Sequence, residues 1–96
     1  MPTYISLINW TEKGIGAFKD TVDRSAASQQ LAAKFGGTFE IYWTIGPYDI
    51  VAISEFPDDD SATAFALMLG SQGNVRTSTL RAYRADEMRS IIAKTA

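Results

Sequence analysis

The chain has 96 residues, 46% hydrophobic and 21% charged, which describes one globular domain over residues 1–96 and no disordered or fibrous polymer. It contains neither Cys nor His, so disulfides, thiolate chemistry and His- or Cys-held metals and haem are excluded, and the expectation is no cofactor. Nine Lys and Arg against eleven Asp and Glu leave a net charge of -2, the wrong balance for a nucleic-acid partner, and no apolar run is long enough for a membrane span.

The opening Met1-Pro2-Thr3-Tyr4 has no basic leader or cleavage pattern, so the expectation is a cytoplasmic protein. Met before Pro is often removed, and a proline amine can act as a base; such starts are common without that role, and the plain reading is preferred. Thr3–Trp10 alternates with period two and reads as a strand that is partly apolar on both faces. Gly14 and Gly16 then favour a loop or a loose turn. A helix is predicted from Thr21, whose hydroxyl is placed to cap it, with Ala27, Leu31 and Phe35 as the buried stripe. Gly36-Gly37 ends it.

Thr38–Ile45 and Tyr48–Phe56 form a hairpin about Gly46-Pro47. Pro57-Asp58-Asp59-Asp60 opens a second helix with Ala62, Phe65, Ala66 and Leu69 inward, and Leu67 and Met68 widening its apolar surface. Gly70 and Gly73 close it. Val75–Tyr83 is the fourth strand. A short last helix begins near Ala85 with Met88, Ile91 and Ile92 facing inward.

The order β-α-β-β-α-β plus a terminal helix predicts an α+β, ferredoxin-like antiparallel sheet with its helices on one face. Alternation assigns Ile5, Leu7, Phe39, Ile41, Trp43, Ile50, Ala52, Leu80 and Ala82 to the helix side. Tyr4, Ser6, Ile8, Trp10, Glu40, Tyr42, Thr44, Asp49, Val51, Ile53, Glu55, Thr77, Thr79, Arg81 and Tyr83 fall on the other side. That second face is too apolar to stay wet, so a homodimer or higher homo-oligomer is expected, sheet against sheet, with room for a small-molecule ligand between the copies.

Three stretches carry a family resemblance: Asn9-Trp10-Thr11, then Gly46-Pro47-Tyr48-Asp49 running into Ile50-Val51, then Leu69-Gly70-Ser71-Gln72-Gly73-Asn74-Val75-Arg76-Thr77. Together they resemble the GYD-domain family, small bacterial and archaeal proteins without an assigned reaction, although here Pro47 stands inside the Gly-Tyr-Asp motif. The resemblance implies a dimeric α+β barrel. That superfamily includes cofactor-free monooxygenases, muconolactone isomerases, haem-dependent chlorite dismutases and ligand-sensing domains of transcription regulators. It implies a fold and a dimer, and fold alone assigns no chemistry.

Candidate chemistry is sparse. Asp49 is a base or hydrogen-bond anchor in one reading and a satisfier of turn N–H groups in the other, which is favoured. Asn74, Arg76 and Thr77 follow a Gly-flanked turn that can hold an anion, or that simply caps a helix. Asp58-Asp59-Asp60 reads as a helix cap before it reads as a cation site. Trp10, Tyr42, Trp43 and Tyr48 line a planar-ligand pocket or plain core and interface. The candidate ligand site is therefore Trp10, Tyr42, Tyr48, Asp49, Arg76 and Thr77, for a small, partly aromatic or acidic ligand. Two classes of function remain: a non-enzymatic dimeric binding module, which the thin acid–base set favours, and a cofactor-free monooxygenase or isomerase. In the second, Asp49 is the base, Tyr42 or Tyr48 the donor and Arg76 or Arg81 the anion clamp.

Overall fold

The computed structural model describes residues 1–96. The elements follow the predicted order: β1 (Thr3–Trp10), α1 (Glu12–Gly16), a 3-10 turn (Phe18–Asp20), α2 (Thr21–Lys34), β2 (Thr38–Trp43), β3 (Ile50–Glu55), α3 (Asp59–Ser71), β4 (Val75–Ala82) and α4 (Ala85–Ala93). The strands lie in the order β2-β3-β1-β4, every pair antiparallel. Register is fixed across the sheet by Glu40↔Ile53, Ile5↔Ile53 and Ile5↔Leu80. This is the ferredoxin-like arrangement, with α2 and α3 packed on one face of the sheet.

Local chemistry sets the element ends. The Thr11 hydroxyl accepts from the Gly14 N–H at 3.1 Å, which makes α1 a single capped turn. Gly14 is required there, because a Cβ would fall 1.9 Å from the Asn74 carbonyl oxygen. The chain turns out of α2 through Gly36 at φ 78°, a left-handed conformation that L side chains rarely adopt. The Asp58 carboxylate accepts from the Ser61 N–H at 2.8 Å and starts α3, and hydrogen bonding to Ser61 holds its pKa below the usual carboxylate value. The cap reading of the acidic run is thus the correct one for Asp58.

The core is aromatic. Phe39, Phe56 and Phe65 stack edge to face and tilted at centroid distances of 4.9 and 5.2 Å, with Tyr4 at 6.2 Å from Phe56. Each buried aromatic contributes about 1.5–3 kcal/mol by leaving water. Small residues let the helices approach: Ala32 and Ala52 are fully buried, and Ser6, Ser28 and Ser54 are buried beside them. The Ser6 hydroxyl is satisfied by Thr79 Oγ1 at 3.0 Å and the Ser28 hydroxyl donates to the Arg24 carbonyl at 2.9 Å.

Several expectations need correction. β1 and β4 lie with the opposite side up. Tyr4, Ser6, Ile8, Trp10, Thr77, Thr79 and Arg81 share the helix-covered face with Phe39, Ile41, Trp43, Ile50 and Ala52. Ile5, Leu7, Leu80 and Ala82 join Glu40, Tyr42, Val51 and Ile53 on the open face. Period two identifies which residues share a face, and a strand with apolar groups on both sides leaves the choice of face to packing. In α2 the buried positions are Ser28 and Ala32, with Leu31 and Phe35 half-buried and Ala27 exposed. Thr21 is the first helical residue and makes no cap; its hydroxyl accepts from the Trp43 indole N–H at 3.0 Å. Leu67 and Met68 are exposed. Met88, Ile91 and Ile92 of α4 also point to solvent, and α4 has no substantial contact with any other helix or strand.

Candidate functional site

The three stretches singled out in the sequence meet at one end of the sheet. There β1 runs out at Trp10, and three pieces of backbone must be held beside it. The Asp49 carboxylate accepts from the Trp10 N–H at 2.9 Å, while the Asp49 N–H donates to the Ile8 carbonyl at 3.0 Å. The preceding turn passes through Gly46 at φ 132°, which only glycine adopts without strain, and the Thr44 hydroxyl closes it by donating to the Tyr48 carbonyl at 2.7 Å. On the other side the Thr11 hydroxyl donates to the Gly73 carbonyl at 2.6 Å, and the Thr11 N–H to the Asn74 carbonyl at 3.1 Å. Lys13 adds a bond to the Gln72 carbonyl at 2.9 Å. Each of these side-chain groups serves backbone.

Behind this junction, between the covered sheet face and the two long helices, lies a cavity of about 40 Å3. Its floor is apolar: Ile8, Trp10, Phe39, Ile41, Ile50 and Val75. Above it α2 contributes the polar Thr21, Arg24, Ser25 and Ser28, α3 the apolar Leu69, and the turn after α3 Gln72 and Asn74. Arg24 donates to the carbonyls of Ala17 at 2.7 Å and Gly14 at 3.1 Å, which fixes the α1 segment. A guanidinium has five N–H groups, so donors remain, and no carboxylate pairs with it. At this volume the cavity has room for a few waters, well below the roughly 300 Å3 or more of a pocket for a small organic ligand.

The six residues expected to line one pocket are dispersed. Trp10 borders the cavity just described. Thr77 is on the same face but further along, and it shares with Arg76, Asn9 and Gly73 a shallow groove at the β4 edge. Tyr42 is exposed on the open face, its hydroxyl donating to Glu40, and that bond raises its pKa. Tyr48 and Asp49 belong to the turn, and Asp49 is committed to Trp10. Arg76 sits opposite Asn9 on the open face. Only pairs of the six come together. Sequence reading missed Arg24 and Ser28. Their signal is the four-residue spacing Arg24, Ser28, Ala32, a stripe of small and polar groups that resembles a solvent face and in fact lies against the sheet.

The GYD domain family model matches residues 4–92, nearly the whole chain. This chain belongs to the GYD-domain family. Among curated relatives, the glutamine synthetase and cystathionine beta-lyase binding protein of Thermus thermophilus is 34% identical over 84 residues, covering 85% of this chain and 88% of that protein. A solved crystal structure, that of TTHA0845 from the same species, superposes with a TM-score of 0.56 at 29% identity, covering 88% of this chain and 96% of that one. The α+β GYD fold of this chain therefore agrees with a solved relative over the same length. No helix of this GYD protein is long and apolar enough to cross a membrane.

Proposed function

We propose that this GYD protein is a non-catalytic binding module that assembles through its open sheet face and docks on a larger cytoplasmic enzyme. The observation that carries the self-association is the uncovered centre of that face, where Ile5, Leu7, Val51, Ile53 and Leu80 form one contiguous apolar surface. A second copy, face to face about a two-fold axis, covers it with the same residues. Support for a protein partner comes from the Thermus relative, whose name gives two enzymes that it binds. The chemistry of the junction agrees with this reading. Asp49, the base of the alternative enzyme reading, is tied to the Trp10 backbone.

The test is sedimentation of the purified protein, alone and with purified glutamine synthetase or cystathionine beta-lyase from the same source. A dimer that co-sediments with either enzyme is the expected result. A monomer at high micromolar concentration sinks the assembly, and failure to bind both enzymes sinks the docking reading.

A further inference from the structure

We infer that α4 is an arm that packs on the second copy of the chain, so that each subunit of the dimer is incomplete without the other's C-terminal helix. The inference rests on the sheet-face dimer proposed above and adds a second surface to it.

Three observations converge on it. First, α4 is amphipathic without a counterpart. Met88, Ile91 and Ile92 fall on one side at helical spacing and are 45%, 38% and 60% exposed, while Asp86, Arg89 and Ser90 occupy the rest of the helix. A nine-residue helix does not hold itself together in water, so its stability has to come from packing that the single chain does not supply. Second, the start of α4 is fixed while its body is free. The Arg84 guanidinium bonds the Glu55 carboxylate at 2.8 Å, the Arg84 N–H bonds Glu87 at 3.0 Å, and Arg81 lies 3.7 Å from Glu87. Glu55 is on the open face, in register with Thr3, and Thr3 with Ala82. The helix is thus anchored at the end of the sheet, between Glu55 at the rim of the open face and Arg81 on the covered one, in a chain whose longest and shortest extents are 52 and 17 Å.

Third, the helix and the open face adjoin, and the helix adds substantially to what two copies can cover. Two eight-residue and two six-residue strands span a flat footprint on the order of 450 Å2 at ordinary strand spacing and rise. One face of a nine-residue helix adds a footprint of roughly 135 Å2. In a two-fold dimer each copy both lends a helix and receives one, so the helix counts twice and enlarges the covered footprint by about half. A second copy is therefore the occupant that the area and the position of α4 select.

The experiment compares wild type, Ile53→Lys and Ile92→Glu, with the dimer constant from sedimentation equilibrium and the amide exchange of residues 85–93 by mass spectrometry. Ile92 touches no core, so the Ile92→Glu monomer folds, and its far-ultraviolet spectrum checks that. The expected result is a wild-type dimer, a dissociation constant at least tenfold weaker for Ile92→Glu, and α4 amides protected in wild type but rapidly exchanging in monomeric Ile53→Lys. A dimer of unchanged affinity in Ile92→Glu, or equal α4 protection in dimer and monomer, overturns the arm and leaves the sheet-face dimer standing. A monomeric wild type overturns both.

Discussion

Down the middle of the covered face β1 and β3 place Tyr4, Ser6, Ile8, Ile50, Ala52 and Ser54; down the middle of the open face the same two strands place Ile5, Leu7, Val51 and Ile53. By hydrophobicity the helices should have chosen the second set. They chose the first because it has a trough of small residues at its centre and bulk at its ends. Ala32 of α2 and Ala62 of α3 pack towards that trough, and Phe39, Phe56 and Phe65 fill around it. The branched residues of the open face make a flatter surface, of the kind that another flat surface can cover. Shape decided which side received helices, and polarity did not oppose it, because the buried Ser6 and Ser28 hydroxyls each found a partner.

The difference between the faces can be broken from either side. Phe65→Ala should have the largest effect on folding: truncating a fully packed aromatic is expected to lower unfolding free energy by about 3–5 kcal/mol in urea titration. Ile53→Lys should leave a folded chain but abolish the dimer seen by light scattering, because two lysines would be buried unpaired across the axis. A Phe65→Ala loss below about 1 kcal/mol, or a stable Ile53→Lys dimer, would reverse the roles given to the two faces. Asp49→Asn keeps an acceptor near the Trp10 N–H but loses the charge, and about 1 kcal/mol of stability should go with it. Tyr42→Phe, on the exposed side, should leave the melting temperature unchanged.

A further effect is a pH dependence on the covered face, seen only in strong alkali. Burial, followed by the hydrogen bond to Asp59, pushes the Tyr4 phenol up to about 12. The folded value is above the unfolded one near 10, so the neutral phenol is the form the fold prefers. Its contribution is complete below about pH 10 and is lost as pH rises through about 12. Tyr4→Phe should remove that alkaline step from a melting-temperature profile, and a step that persists would assign it to another group.

The order of elements was readable from the chain because most have a local cause: a capped helix start at Asp58, a left-handed stop at Gly36, a Gly46-Pro47 turn; the capped turn after Thr11 was expected only as a loop or loose turn, and the cap expected from Thr21 is absent. The faces of β2 and β3 were readable too, since Phe39 and Ala52 contrast with Glu40 and Glu55. β1 was not, because Tyr4, Ile8 and Trp10 compete with Ile5 and Leu7, and local pattern has no knowledge of which helix will arrive above. The candidate site suffered from the same cause. Once β1 and β4 turn over, Trp10 and Thr77 part from Tyr42. The cavity is assembled from Arg24, Gln72 and Trp10, residues brought together only by the packing of two helices on the sheet. Asp49 was read as a satisfier of N–H groups in its own turn; the donor its carboxylate meets is instead the Trp10 N–H, thirty-nine positions away on β1.

The strand order has a consequence for how the chain is made. β1 is the earliest strand to emerge during synthesis, and it is an inner strand; one of its two neighbours, β4, is the last, pairing Thr3 with Ala82. Until the ribosome has delivered residue 82, one full edge of the central strand stands open, with the alternating apolar side chains of β1 on both of its faces. Any chain cut short within α3, by a premature stop or a protease, exposes that edge permanently and offers it to other chains. Messages truncated ahead of the β4 codons should therefore yield aggregates and not soluble fragments.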